Sequence, residues 1–332
     1  MISSSRRSHP AVSLSRHSRG WLASGLACTL LLSPALAASA EAASKPPAPA
    51  AAAPRAFDTP RKAADALIAA VADYDVPTLM EILGPAGADL VDTEDPVQDR
   101  NTGAAFAARA REKTEVLPDA KNANRATLII GNEDWPVPIP IVRKDGKWSF
   151  DAKAGRKEIL YRRIGRNELD AIEACRGFVE AQHEYASRKR EGSSVNQYAQ
   201  RVVSTPGKQD GLAWRNPDGS SGGPLGEEMA GAIAEGYSDR SRPYHGYYFK
   251  VLKGQGPAAP LGQLDFVVNG VMIGGFGLVA APADYRVTGV KTFLVGHDGV
   301  VYERDLGSKT LERFRAMERF NPDKGWNPVD GP

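Results

Sequence analysis

The stretch that decides the fold of the N-terminal half runs from residue 135 to residue 150. It reads Trp-Pro-Val-Pro-Ile-Pro-Ile-Val-Arg-Lys-Asp-Gly-Lys-Trp-Ser-Phe. Proline alternates with apolar residues over 135–142, and because proline has no N–H to donate, this segment is predicted to be an edge strand. Lys144-Asp145-Gly146 then predicts a turn, and Lys147–Phe150 is predicted to return as the partner strand of a hairpin.

Helical signals precede this hairpin. Thr59 followed by Pro60 predicts an N-cap and the first residue of a helix, and Asp75 predicts the cap of a second, shorter helix. A third helix is predicted over Gly103–Val116 and a short strand over Thr127–Ile130. Helices followed by a curved antiparallel sheet that ends in a hairpin resemble the NTF2-like cone fold, which often encloses a pocket.

The C-terminal half is predicted to begin with a long helix over 156–188. Its predicted buried stripe consists of Leu169, Ile172, Cys175, Val179 and Ala186. An exposed loop is predicted over 204–225, which is rich in Gly, Ser, Pro and Asp. The predicted strands of a second antiparallel sheet are 244–252, 276–281, 290–295 and 300–304, and a short helix is predicted around 309–317. His297-Asp298-Gly299 predicts the hairpin turn between the last two strands.

The first 40 residues have the pattern of a secretory signal peptide. Four arginines and no acidic residue precede an apolar run over 21–36, and small residues follow it. Cleavage is expected near Ala37 to Ala40, with either general secretion or twin-arginine export through Arg6-Arg7 left open. The protein is therefore expected in the periplasm and in contact with a membrane only during export. Residues 41–56, rich in alanine and proline, are predicted to be a linker.

Removal of the leader changes the charge balance of the chain. It leaves 38 basic and 40 acidic residues, a net charge of −2, so neither nucleic-acid binding nor attraction to an anionic membrane is expected. It also leaves Cys175 as the only thiol, which excludes an intramolecular disulfide. The fold must therefore rest on apolar burial.

Few residues suggest catalysis. The three remaining histidines, at 183, 245 and 297, lack metal-ligand spacing, so neither a metal nor a cofactor is expected. Cys175 lies in an apolar helical stripe and is expected to be a buried core residue rather than a nucleophile. Glu133-Asp134 beside Trp135 is the best cluster for paired carboxylates, although a loop at the start of a strand explains it equally well.

Aromatic residues give the candidate binding site. Trp135, Tyr244, His245 and Tyr247 are the candidates, and an aromatic strand with alternate rings in the core is the alternative for the last three. The basic residues over 156–166 are interpreted as a solvated helix face, since acidic residues are interleaved with them. The Gly-rich segment 270–277 is interpreted as a loop with bulged strand ends, with a flap that docks a partner as the alternative.

Seven segments together resemble an exported bacterial family catalogued as a domain of unknown function, number twenty-nine-fifty. These are 132–136, 164–169, 204–211, 244–249, 254–260, 272–276 and 297–302. The resemblance spans nearly the whole mature chain and implies export but no known activity. The order of elements in the C-terminal half is also similar to the globular heads of type IV pilins, but the long apolar N-terminal helix that a pilin needs for polymerisation is missing there.

These observations predict an α+β protein in four segments. They are a signal peptide over 1–40, a linker over 41–56, an NTF2-like domain over 57–155 and a helix-plus-sheet, pilin-head-like domain over 156–330. The predicted function is that of a non-enzymatic binding protein of the cell envelope, whose partner is an envelope protein or polymer. The alternative is a small-ligand binder or hydrolase that uses a pocket behind Trp135 and Trp148 in the N-terminal cone.

Overall fold

Seven α-helices and several antiparallel sheets make up the described part of the chain, which confirms the predicted α+β class. The computed structural model describes residues 53–92, 96–190, 192–234 and 243–329. The predicted signal peptide, and the linker up to residue 52, lie outside these ranges. Within them, no helix has both the length and the apolar character that a membrane crossing requires.

The first two predicted helices are confirmed with their caps. Helix α1 (Pro60–Ala72) begins after Thr59, whose side chain accepts a hydrogen bond from the Lys62 amide at 3.1 Å. Helix α2 (Val76–Leu83) begins after Asp75, which accepts one from Thr78 at 3.1 Å. Each cap satisfies an amide that the first turn of a helix leaves without a partner. Helices α3 (Ala88–Val91) and α4 (Pro96–Glu112) follow.

The third predicted helix had the wrong bounds, because α4 ends at Glu112 and Val116 belongs to a strand. Strand β1 (Thr114–Asp119) pairs antiparallel with β2 (Asn122–Ile130), placing Val116 opposite Leu128. Leu128 is fully buried. Pairing with a buried neighbouring strand therefore outweighs the weak helical preference of residues 113–116.

The proline-rich stretch is two strands rather than the predicted single edge strand. Strand β3 (Trp135–Pro136) pairs with the end of β2, and β4 (Ile141–Lys144) lies inside the sheet, between β2 and β5 (Lys147–Phe150). The ladder is interrupted at 138–140, where two prolines supply no amide hydrogen. The hairpin prediction is confirmed, since Asp145 and Gly146 both have the positive φ of a tight turn.

One long helix, α5 (Ala152–Ala186), connects the two halves, and it starts four residues before the predicted position. Arg162 fastens its first half to the N-terminal sheet by donating to the Pro136 carbonyl at 2.7 Å. Its middle is fastened to the C-terminal sheet, where Glu168 accepts from the amides of Val290 at 2.8 Å and Lys291 at 3.0 Å.

The predicted buried stripe of α5 is correct at Ile172, Cys175 and Val179 but wrong at Leu169. The Leu169 side chain is 68% exposed. The buried positions between 171 and 185 follow a 3.6-residue repeat, and extending this repeat towards the N-terminus places residue 169 on the opposite side of the helix. Ala186, the last residue of the helix, is only partly buried.

The second antiparallel sheet is confirmed, with strand bounds that differ by up to three residues from the prediction. Its order is β17-β16-β15-β14-β9. The strands are β9 (Tyr247–Leu252), β14 (Gly277–Pro282), β15 (Lys291–Gly296), β16 (Val301–Asp305) and β17 (Asn327–Pro328). Gly299 has φ +74° in the predicted turn between β15 and β16. Helix α7 (Thr310–Ala316) follows β16, close to its predicted place.

The segment predicted to be a loop over 204–225 contains regular structure. Strands β6 (Arg201–Val203), β7 (Gly211–Arg215) and β8 (Ser221–Gly222) form a small sheet, and helix α6 (Glu227–Ala234) packs on it. Leu212 in β7 is fully buried. The Gly- and Ser-rich composition comes from the turns between these strands. A short apolar strand such as β7 contributes too few residues to change the composition of the whole segment.

Two further two-stranded ladders lie between β9 and β14. Strand β10 (Gly254–Gln255) pairs with β11 (Leu264–Asp265), and β12 (Val267–Val268) pairs with β13 (Val271–Met272). The predicted loop over 270–277 is therefore the tip and second strand of a short hairpin, followed by an irregular segment that leads into β14.

Apolar side chains collect in two clusters. One joins α1, α2 and the N-terminal sheet, and the other joins the second half of α5 to the C-terminal sheet. Residues 153–170 of α5 belong to neither cluster. The division into domains at residue 155 stays a prediction.

Candidate functional site

The four predicted site residues lie at three different places. Trp135 lies in β3 of the N-terminal sheet, Tyr244 and His245 lie in the turn before β9, and Tyr247 begins β9. The structure therefore brings together Tyr244 and His245 but not Trp135. Two of these places lie at surface grooves of different chemistry, and the third is in the core.

Tyr247 belongs to the hydrophobic core. Its side chain is 1% exposed, its ring centroid lies 5.9 Å from that of Phe293, and its hydroxyl donates to the Lys291 carbonyl at 2.9 Å. Burial raises the pKa of Tyr247 far above its usual value. A ligand cannot reach this ring in the folded chain, so the alternative of an aromatic strand with alternate rings in the core describes it.

Tyr244 is presented at the surface by a two-residue turn. The amide and carbonyl of Tyr244 exchange hydrogen bonds of 2.9 Å with those of Tyr247. His245 and Gly246, the central residues, have φ of +46° and +77°, the left-handed region that such turns require. A side chain at Gly246 would collide with Asn167 and Thr288, so this turn is held close against α5.

The Tyr244 ring forms one wall of a groove between α5 and α6, which we call the acidic groove. Its volume is about 460 Å³. The lining residues are Gly177, Glu180, Ala181, Glu184, Pro224, Leu225, Gly226, Glu227, Glu228, Met229 and Tyr244. Small and apolar residues form the floor, and glutamates from both helices form the rim.

The glutamates of the groove differ in how far nearby cations offset their charge, and Glu184 attracts Arg190 without forming a salt bridge with it. Glu227 is paired with Arg215 and also accepts a hydrogen bond from Ser221. Glu180, Glu184 and Glu228 form no salt bridge with any residue that the structure describes. The groove therefore has a negative potential, which attracts cations and repels anions.

Asp170 and Glu173 of α5 extend the negative surface past Tyr244. Burial raises the pKa of the Tyr244 hydroxyl, and the carboxylates of Glu228, Asp170 and Glu173 raise it further. His245 stacks beside Tyr244 with ring centroids 4.3 Å apart, and its Nδ1 lies in contact with the Asp170 carboxylate.

Trp135 lies at a second groove, between α4 and the N-terminal sheet, which we call the Trp135 groove. Its volume is about 320 Å³. It is lined by Gln98, Asn101, Thr102, Ala105, Phe106, Arg109, Ile130 and Trp135. Trp148 is not among its lining residues. The interior of this half is instead filled by buried side chains such as Leu128, Ile141 and Phe150.

The remaining chemical candidates line neither groove. Cys175 is fully buried, and this burial raises its pKa to about 12, so the thiol stays protonated at neutral pH and the prediction of a core cysteine is confirmed. The ring of His183 packs against Tyr198 and Phe276. Asp134 is paired with Lys113. No group of His, Cys, Asp and Glu with metal-binding geometry occurs in the described ranges.

The acidic groove was not predicted from the sequence, although the residues of one of its two walls follow a recognisable spacing. Glu173, Gly177, Glu180 and Glu184 recur at helical spacing along α5 and must share one face. The other wall was not predicted, because α6 (Glu227–Ala234) follows the predicted loop and no helix was predicted there.

The comparisons with known proteins give a family but no activity. No curated protein and no solved structure matches the chain, so the likenesses to NTF2-like cones and pilin heads stay predictions. A family model described as "Protein of unknown function (DUF2950)" matches residues 54–329. This match covers most of the sequence, and the chain therefore belongs to the DUF2950 family.

Proposed function

We propose that this protein is an exported binding protein of the cell envelope that holds a cationic segment of its partner in the acidic groove. The observation that carries the proposal is the set of three unpaired carboxylates around an apolar floor. A lysine or arginine side chain has a long apolar stem and a cationic end, and both parts find complementary surface there. The partner is an envelope protein or polymer that exposes such side chains.

The aromatic residue of the groove supports the same ligand class. Tyr244 is half-buried and faces the same cavity as Met229 and Glu228. A cation above a tyrosine ring gains electrostatic attraction, of about 0.5–1 kcal/mol at an exposed site. Carboxylates and an aromatic ring hold a cationic side chain and supply no activated nucleophile, which favours binding over catalysis.

The export part of the proposal rests on the leader and has a direct test. Sequencing the N-terminus of protein recovered from cells is expected to start between Ala38 and Ala43, because signal peptidase cuts after the small residues that follow the apolar run. An intact Met1 in the recovered protein would contradict export with cleavage.

The groove part is tested with a defined polycation. The mature chain is expected to bind fluorescein-labelled hexa-arginine, measured by fluorescence anisotropy, and to ignore labelled hexaglutamate. Replacing Glu180, Glu184 and Glu228 together by glutamine removes the three unpaired charges and is expected to weaken binding about tenfold or more, or about 1.4 kcal/mol.

A matched control separates local from overall charge. The triple variant Glu81→Gln, Glu133→Gln and Glu312→Gln removes the same net charge from exposed positions away from the groove. It is expected to bind within about twofold of the natural chain, since exposed charges beyond one Debye length are largely screened. Equal weakening in both triple variants would assign the binding to net charge and refute the groove.

A further inference from the structure

The Trp135 groove is a second site, with a chemistry opposite to that of the acidic groove. The backbone around Trp135 is held by two contacts, and the indole itself by one. Its strand pairs with Ile130, Asp134 before it is tied to Lys113, and the Arg162 guanidinium lies 5.8 Å from the indole centroid. A half-buried indole that is held this firmly offers a flat apolar surface at little cost in conformational entropy.

The opposite wall is one face of α4. Gln98, Asn101, Thr102, Ala105, Phe106 and Arg109 follow the 3.6-residue repeat and line the groove together. The side chains of Asn101 and Thr102 form no hydrogen bond with the residues that the structure describes. They offer donors and acceptors side by side. No carboxylate lines the groove, and Arg109 is its one lining cation among the described residues.

The lining residues of the Trp135 groove suit some classes of ligand poorly. A cation would find no carboxylate there. A wholly apolar ligand would bury the amide and hydroxyl groups without hydrogen-bond partners, at a cost of about 1–3 kcal/mol for each group. A simple anion would use Arg109 and leave Trp135 and Phe106 without a role. A pyranose ring has an apolar C–H face that stacks on an indole and a rim of hydroxyls that pair with amides.

We propose that the Trp135 groove binds one or two neutral pyranose units of a glycan. The ring face stacks on Trp135, with Phe106 as an apolar side wall. Asn101 and Thr102 exchange hydrogen bonds with the sugar hydroxyls, and Arg109 donates to further oxygens. The volume of about 320 Å³ lies at the lower end of the range for ligand pockets, which suits a short segment of a polymer. This site is independent of the acidic groove and of its cationic partner.

The test uses two neutral trisaccharides, triacetylchitotriose and cellotriose, titrated into the mature chain and followed by isothermal titration calorimetry and amide NMR shifts. Saturable binding of at least one trisaccharide at millimolar concentration is expected, with shifts that include the amides of α4 and β3. Trp135→Ala is expected to weaken it about tenfold or more. The double variant Asn101→Ala and Thr102→Ala changes only exposed side chains and is expected to weaken it about threefold to tenfold.

Matched controls keep the result interpretable. Trp148→Phe alters the other tryptophan of the same sheet, which does not line the groove, and is expected to bind as the natural chain does. The triple glutamine variant of the acidic groove is also expected to keep full sugar binding, so the two sites can fail separately. Absence of saturable binding by both trisaccharides, or unchanged binding in the Asn101–Thr102 double variant, would overturn the proposal.

Discussion

Replacing Tyr247 by alanine is expected to lower the free energy of unfolding by about 3–5 kcal/mol, the range measured when a large buried ring is removed. The ring is 1% exposed and packs on Phe293. It also occupies the space left by Gly289, where a Cβ atom would overlap the tyrosine side chain. The surrounding strands cannot collapse into such a space without disturbing β15, so most of the cavity is expected to remain.

Two comparisons make this prediction specific, with urea unfolding followed by circular dichroism as the measurement. Tyr247→Phe keeps the ring and removes only the hydroxyl that donates to Lys291, so about 0.5–1.5 kcal/mol is expected. Tyr244→Ala, three residues earlier but on the groove wall, is expected to cost about 1 kcal/mol or less. If Tyr247→Ala and Tyr244→Ala had equal effects, the division into a core ring and a surface ring would be wrong.

The contrast between the buried Tyr247 ring and the surface Tyr244 ring could not be predicted from the sequence pattern. Three aromatic rings between residues 244 and 248 predicted an aromatic patch, yet strand alternation buries Tyr247 and leaves Tyr248 only partly covered. Period-two alternation was visible in the sequence. Which of the two faces meets the core depends on α5, whose side chains fill the space beneath the sheet, and no local pattern encodes that contact.

The predictions that succeeded depend on local chemistry. The caps at Thr59 and Asp75 and the turns at Asp145-Gly146 and Asp298-Gly299 satisfy backbone requirements within a few residues, so the sequence alone is sufficient to place them. The predictions that failed depend on distant contacts. Val116 is in a strand because β2 pairs with it, and β4 lies inside the sheet because β2 pairs with the side opposite its hairpin partner β5.

The acidic groove could be predicted only in part, because one of its walls follows from local spacing and the other from a distant contact. The glutamates of α5 could be assigned to one face from their spacing, but a solvated helix face has the same spacing as one wall of a groove. The difference comes from α6, which places Glu227 and Glu228 across from Glu180 and Glu184. Likewise, Trp135 was predicted as a candidate, whereas Asn101 and Thr102, which line the groove with it, precede Gly103, where the helix was predicted to begin.

The second large effect is expected at Gln182, which ties the chain beyond α5 back onto that helix. Its side chain is fully buried, and its amide nitrogen donates to the Ala199 carbonyl at 2.9 Å. Its side-chain oxygen accepts from the Ala199 amide at 2.8 Å. Gln182→Leu removes both partners at once and leaves two buried backbone groups unpaired, at roughly 1–3 kcal/mol for each group. Urea unfolding is again the measurement, and a loss below about 1 kcal/mol would contradict this role.

The isosteric change Gln182→Glu tests the same contact through pH. The introduced carboxyl can replace the lost donor only when it is protonated, because a carboxylate would face the Ala199 carbonyl with negative charge. Burial and that carbonyl both favour the neutral form, so the folded-state pKa is expected to lie above the unfolded value of about 4.3. A raised folded-state pKa contributes stability that is fully present below the unfolded pKa and is lost as the pH rises through the folded pKa. The destabilisation of Gln182→Glu relative to the natural chain should therefore shrink from pH 7 to pH 4, whereas that of Gln182→Leu should stay constant, because leucine introduces no group that titrates.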